Sequence, residues 1–212
     1  MTALAVIAKA PVAGRSKTRL SPPCTPEQAA ALATAALADT LQAVAATPAA
    51  RRIVVLDGAP GPWLPAGEFE VIAQRGGDLA QRLAAAFADI AEPALVVGMD
   101  TPQLTPRLLT HALDALARSD AVLGPAPDGG YWAIGLRRSD DAVFAGVPMS
   151  DPATCAVQRA RLRARGLMTR ELPPLRDVDD IADAYAVAAL APRTRFAREL
   201  AAMRLLRVPR AA

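Results

Sequence analysis

The sequence predicts an α/β fold, a mainly parallel central sheet with helices on both faces, and three observations carry that expectation. Short, continuous apolar runs such as ALAVIA (3–8) and ALVVG (94–98) have the character of strands buried on both faces, as in parallel sheets. They alternate with longer alanine-rich segments, which is the pattern of β–α–β units. The chain has 212 residues, of which 52% are hydrophobic, enough for one domain with a sizeable core. A single domain over residues 1–212 is therefore expected.

Element by element, the first strand spans 3–8. The first helix begins at Thr25, with Pro26 at its first position and Gln28 three residues after the cap, a capping-box start. Strands follow at 52–57 and 69–74, separated by a loop rich in proline and glycine. Residues 78–91 read as a helix, with apolar side chains at 79, 83, 87 and 90 forming its inner face. A strand at 94–100 precedes a helix at 105–119 capped by Thr105, and two apolar runs then flank an Asp-Gly-Gly turn. The remainder is a basic helix near 153–165, an extended piece near 167–178, and helices near 180–190 and 193–207. The last carries Phe196, Leu200, Met203 and Leu206 at helical spacing, as a helix packed on the core would.

Composition narrows the function. A formal charge of +3 is small, and no nucleic-acid-binding motif accompanies it, so nucleic acid is not an expected partner. No run approaches the ~20 apolar residues of a membrane span. The opening MTALAVIAKAP lacks a basic leader, so a cytoplasmic protein is expected. Cys24 and Cys155 are far apart with no neighbouring ligand residues, which excludes a zinc site and fits reduced thiols. The sole histidine, His111, falls within a helix and reads as a surface residue, leaving no Ser/His or Cys/His nucleophile.

In such sheets ligands bind beyond the carboxyl ends of the strands, so motifs directly after strands carry the chemistry. KAPVAGRSKTRL (9–20) follows the first strand and holds both lysines of the chain, Lys9 and Lys17, beside Arg15 and Arg19. Pro11 and Gly14 shape a turn there, and its backbone N–H groups and cations suit phosphate. It is not a Walker loop, because the first glycine of that motif is missing. Asp100 ends an apolar strand and Thr101-Pro102 breaks the chain directly after it, a good place for a carboxylate holding Mg2+ or Mn2+. Asp177 and Asp179 share one face of an extended segment, where two carboxylates can share a metal, and Asp180 can cap the next helix. QRGGDLAQRL (74–83) is a glycine-bearing strand-to-helix loop that could approach a base closely. Taken singly, these features also have plainer readings: a solvated basic loop, a turn aspartate, a hairpin turn and helix caps.

Together, KAPVAGRSKTRL, GGDLAQRL, GMDTPQL, GPAPDGGYWAIGL and DVDDIADAY resemble a bacterial glycosyltransferase-A-type family. This is the radical-SAM/selenodomain-associated transferase group of the nucleotide-diphospho-sugar transferase superfamily. It is related to phospholactate guanylyltransferases and molybdenum-cofactor nucleotidyltransferases. The resemblance covers roughly residues 4–190 and implies a GT-A-like fold. It further implies that Lys9, Ala10, Pro11, Gly14, Arg15, Lys17 and Arg19 hold nucleotide phosphates, with Gly77 and Asp78 near the base. Lys17 and Asp100 would be catalytic, Asp100 with Asp179 or Asp177 would bind the metal, and Asp128, Gly129, Gly130 and Tyr131 would lie on the acceptor side. The chain departs from the family at Ala80, where glycine is frequent, and at Met149, where tryptophan is.

Three functions follow as expectations. The first is a metal-dependent glycosyltransferase using a nucleotide-sugar and a small-molecule acceptor. The second is nucleotidyl transfer from an NTP to a phosphorylated or carboxylated acceptor, and the third a nucleotide-binding module without turnover. A homodimer is compatible with all of them.

Overall fold

The structure, a computed structural model, describes residues 2–203. Seven strands form one sheet: β1 (Ala3–Lys9), β2 (Arg52–Asp57), β3 (Glu70–Ala73), β4 (Ala94–Gly98), β5 (Ala121–Pro125), β6 (Tyr131–Leu136) and β7 (Thr169–Glu171). Their spatial order is β3-β2-β1-β4-β6-β5-β7, and only β6 runs against the rest. The strand carrying Val96 and Val97 is the fourth of seven, as its wholly apolar run requires. It ends at Gly98, so Asp100 lies two residues beyond it.

Alternation along β1 divides the interior. Leu4, Val6 and Ala8 face α1 (Pro26–Ala45) and α3 (Pro106–Ala117), whereas Ala3, Ala5 and Ile7 face α2 (Leu79–Ile90) and α4 (Thr154–Ala164). A third apolar cluster lies outside α1, where Leu32 and Ala36 meet Val178, α5 (Ile181–Leu190) and α6 (Arg195–Ala202). The capping box at Thr25 and Gln28 forms, and Asp78, Thr105 and Asp180 cap α2, α3 and α5. His111 is exposed on α3.

Phe196 and Leu200 of α6 are buried, and Leu206 lies outside the described residues. What anchors α6 is not only apolar. Asp39, buried on α1, accepts the backbone N–H groups of Arg195 and Phe196 at 3.0 and 2.8 Å and pairs with the Arg195 guanidinium at 3.3 Å. It thus satisfies the orphan donors of the first turn of α6 with a charge of the favourable sign. Asp39→Ala is expected to lower stability by about 1.5–3 kcal/mol, the range for hydrogen bonds to a charged group. A urea melt checks this.

One motif settles differently from its periodicity. Leu79, on the inner face of α2 by spacing, is 42% exposed, while Leu83, Phe87 and Ile90 are buried. It is the first residue of the helix and borders a cavity rather than the core.

Candidate functional site

Strand order reverses at β1: the chain moves outward to β2 and β3, then returns to place β4 on the other side. Both strands lead to helices on the same face, α1 and α3, so their loops leave side by side at the carboxyl edge of the sheet, where a crevice opens. Into it project the residues after Lys9 and those after Gly98.

The loop after β1 folds on itself through Ser16, whose buried hydroxyl accepts the Val12 N–H at 2.9 Å. Gly14 takes a φ of +74°, a left-handed turn that glycine adopts without strain. Lys17 also lies in the left-handed region, at φ 51°. A lysine there needs a tertiary reason. Its side chain supplies one, because the ammonium lies 2.8 Å from Asp100 Oδ2 and donates to the Val178 carbonyl. The backbone N–H of Val178 in turn donates to the Asp100 carbonyl at 3.0 Å. Three segments far apart in sequence thus meet at one ammonium. Arg19, two residues on, pairs with Asp179.

Two cavities adjoin here. The first, of about 330 Å3, is lined by Lys9, Arg15, Lys17 and Arg19 together with Ser16, Met99, Asp100 and Asp179. The second, of about 430 Å3, is lined by Asp128, Asp151, Asp177 and Tyr131, with Leu79 and Met149 as apolar wall. Arg19, Asp100 and Asp179 border both. One cavity is cationic, its neighbour is acidic, and the shared boundary carries both signs.

The wall of the second cavity depends on the turn between β5 and β6. Asp128 Oδ1 accepts the Gly130 N–H at 2.9 Å, and the Gly129 carbonyl accepts from the Cys155 N–H at 2.7 Å. Gly129 sits at φ +91°, and a Cβ there would lie 2.0 Å from the Pro152 carbonyl oxygen, so only glycine lets segment 148–154 approach. That approach brings in Met149, Ser150 and Asp151, and Asp151 Oδ1 accepts the Ala153 N–H at 2.7 Å.

The oxygen ligands suit a divalent ion. Asp100 Oδ1 is buried with no hydrogen-bond partner, beside Asp177 and Asp179 on the same cavity. An unsatisfied carboxylate oxygen among further carboxylates, without histidine or cysteine, is a hard-donor set of the kind Mg2+ and Mn2+ take. Among the described residues no three acidic, histidine or cysteine side chains cluster as a complete protein cage. Asp100 and a late aspartate would supply only part of a shell, with water and substrate oxygens making up the rest.

Burial, with Asp128 and Asp179 nearby, pushes the Asp177 carboxyl up from 3.8 to about 6, and Lys17 opposes this. A raised acid binds more protons in the folded than in the unfolded chain between these values. Stability should therefore fall as pH rises from about 4 to about 6. With the cavity open to solvent, screening reduces the full effect to about 1 kcal/mol. In EDTA, Asp177→Asn is expected to remove this slope and to raise stability at pH 7 by about 1 kcal/mol. Urea melts at pH 4 and pH 7 test it.

The structure thus brings together Lys9, Arg15, Lys17, Arg19, Asp100 and Asp179 on one cavity, and Asp128, Gly130, Tyr131 and Asp177 on the next. Ala10, Pro11 and Gly14 shape the loop without lining either. Gly77 and Asp78 also lie outside both: Asp78 accepts the Gln81 N–H as a helix cap, and the Gly77 N–H donates to the Gln81 side chain. Sequence reasoning did not single out Ser16, Met99, Asp151 or Gln158. Of these only Asp151 left a local signal, an aspartate two residues before the N–H it accepts.

This sheet, with its reversal at β1 and crevice beyond β4, is the fold of the nucleotide-diphospho-sugar transferases. A Desulfovibrio desulfuricans G20 protein provisionally described as a nucleotide-diphospho-sugar transferase superposes with a TM-score of 0.84 at 27% identity, covering 95% of this chain and 94% of that one. Rv0371c of Mycobacterium tuberculosis H37Rv, solved in complex with manganese, gives 0.53 at 22% identity over 88% and 98% of the two chains. The 2-C-methyl-D-erythritol 4-phosphate cytidylyltransferase of Thermus thermophilus gives 0.53 at 19% over 91% and 100%. The chain belongs to the family DUF2064, described as "Uncharacterized protein conserved in bacteria", which it matches over residues 40–151. That span holds Asp100 and the Asp128 turn, while the Lys9–Leu20 loop and Asp177–Tyr185 lie outside it. No curated protein matches the chain.

Proposed function

We propose that the protein is a metal-dependent transferase that binds a nucleotide-sugar in the cationic cavity and passes its sugar to a small molecule in the acidic one. The observation that carries this reading is the pair of adjoining cavities of opposite charge with Arg19, Asp100 and Asp179 on their boundary. A transfer reaction needs two substrates meeting at one point, and the boundary is such a point. Lys9, Arg15, Lys17 and Arg19 would take the donor's phosphates through charge-assisted hydrogen bonds. Lys17, whose ammonium holds the Asp100 carboxylate at 2.8 Å, would turn to negative charge developing on a departing diphosphate. Asp100 and one of Asp177 or Asp179 would hold Mg2+ or Mn2+, which when bound neutralises diphosphate charge. The manganese complex of Rv0371c and the description of the Desulfovibrio protein support the same reading.

We further place the chain in the radical-SAM/selenodomain-associated group, acting as one domain over 1–212 in the cytoplasm, on small molecules rather than nucleic acid. No helix among the described residues is long and apolar enough to cross a membrane. A second reading, nucleotidyl transfer from an NTP with release of pyrophosphate, is favoured by the density of cations in the first loop, which suits a triphosphate, and by the fold of the cytidylyltransferase.

The test titrates nucleoside diphosphates, nucleoside triphosphates and nucleotide-sugars calorimetrically with Mn2+, then follows turnover. Release of nucleoside diphosphate from a nucleotide-sugar supports glycosyl transfer, and pyrophosphate from an NTP supports the second reading. Binding without either product leaves a nucleotide-binding module. Absence of nucleotide binding removes all three.

A further inference from the structure

We propose that the acidic cavity selects an acceptor without any anionic group, a polyhydroxylated molecule that is uncharged or carries an amine. The assignment rests on the transferase reading above and concerns the second cavity only.

Two independent features of that cavity point the same way. The first is charge. Arg19 is the one cation on its wall, and Asp179 already holds it. Asp128, Asp151 and Asp177 make no ion pair with a described residue, and with Arg19 given to the donor's phosphates no cation is left there to receive an acceptor's phosphate or carboxylate. A divalent ion on Asp100 and a late aspartate would offset at most two charges while facing the donor. Asp128 and Asp151 would remain. The acidic lining also continues past Asp177 into a neighbouring cavity bordered by Asp180 and Asp183, where Arg176 is engaged by Asp183.

The second is hydrogen-bond direction. Gln158 is fully buried, and its Nε2 donates to the Val143 carbonyl at 2.8 Å, which fixes Oε1 as an acceptor. The Tyr131 hydroxyl lies 3.4 Å from that oxygen and donates inward to it. Its other neighbour, Met149 Sδ at 3.9 Å, is also an acceptor, so with its proton on either one Tyr131 offers the cavity lone pairs. Thr154 is likewise committed, its hydroxyl donating to the Pro148 carbonyl at 2.7 Å. Apart from Ser150 and Arg19, which is shared with the donor cavity and held by Asp179, the polar side chains facing an acceptor can only accept hydrogen bonds. A ligand of hydroxyls or ammonium supplies the missing donors, whereas a phosphate or carboxylate supplies further acceptors to a site that cannot pair them. Leu79 and Met149 give a carbon skeleton an apolar wall.

The experiment places a thiol in the cavity. Ser150 is exposed there, and Cys24 and Cys155 are buried, so the unsubstituted protein provides the background. Ser150→Cys is treated with a cationic trimethylammonium methanethiosulfonate and with its anionic sulfonate analogue, each rate normalised to mercaptoethanol. The cationic reagent should react about tenfold faster, the scale of electrostatic focusing in a cleft. The preference should fall to near parity when Asp128→Asn and Asp151→Asn are added. Equal rates, or faster reaction with the anion, overturn the assignment. In turnover, methyl glycosides and amino sugars should be modified in preference to sugar phosphates and uronates, and the reverse order also overturns it. Nucleotide titration reads the first cavity separately. Loss of nucleotide binding removes the transferase reading, whereas nucleotide binding with an anionic preference at residue 150 removes the acceptor assignment alone.

Discussion

Asp100→Asn is expected to leave the fold in place and to lower metal-dependent turnover on the order of 10²–10³-fold, the scale for losing one positioned electrostatic group at a reacting centre. The amide keeps the shape of the side chain but removes its charge. It replaces one carboxylate oxygen with a donor, either at the 2.8 Å contact with Lys17 or at the buried Oδ1 that has no partner. The first arrangement sets an N–H against an ammonium, and the second removes the oxygen best placed for a hard cation. The fold should survive because the backbone tie at this point, from the Val178 N–H to the Asp100 carbonyl, does not involve the side chain. Circular dichroism melts and nucleoside diphosphate release with Mn2+ form the test. Turnover within a few-fold of the parent protein would falsify the role of Asp100.

Lys17→Ala and Arg19→Ala are expected to part company in stability while agreeing in binding. Both should weaken nucleotide affinity by about 1–3 kcal/mol, the cost of a lost charge-assisted hydrogen bond. From sequence both cations belong to an exposed loop and should hardly affect folding. The structure overturns that for one of them. The Lys17 side chain is only 11% exposed, against 69% for Arg19, and it joins the first loop to Asp100 and to Val178. Removing it leaves the Asp100 carboxylate poorly compensated, and because that carboxylate is one-third exposed the loss should be about 2–3 kcal/mol, below the range for fully buried pairs. Arg19→Ala should stay within about 0.5 kcal/mol, as exposed pairs do. Urea melts and calorimetry on the two variants decide this. A Lys17→Ala protein as stable as Arg19→Ala would show that the ammonium bridge contributes nothing to the fold. In Lys17→Ala/Asp100→Asn the two losses should not add, since they share one ion pair.

The bridge accounts for a lysine at position 17. An ammonium is a compact point charge on a flexible stem, able to reach a carboxylate and a carbonyl oxygen from a left-handed backbone position. A guanidinium is planar and wider. At Arg19, where the partner is an exposed carboxylate, an arginine serves.

What the sequence by itself determined are the features that residues a few positions apart decide. The strand at 3–9 shows in its apolar run, α1 in the Thr25–Gln28 box, and the β5–β6 hairpin in its Asp-Gly-Gly turn. Caps, turns and periodicity are short-range interactions, so they can be read along the chain. That the loops after β1 and β4 lie at one sheet edge followed from reading both runs as strands of a parallel sheet, and this made Lys17 and Asp100 candidates separately. Only the tertiary structure decided that they touch each other, that Val178 closes the group, and that Leu79 borders a cavity instead of the core. Only it showed that Asp78 is spent on a helix cap and that Asp151 and Gln158 shape the second cavity. The reason is physical: 83 positions separate Lys17 from Asp100 and 161 separate Lys17 from Val178, and no local preference couples residues so far apart. Their meeting is set by how the sheet and the helices on its two faces pack, and each contact exists only once the whole core has formed.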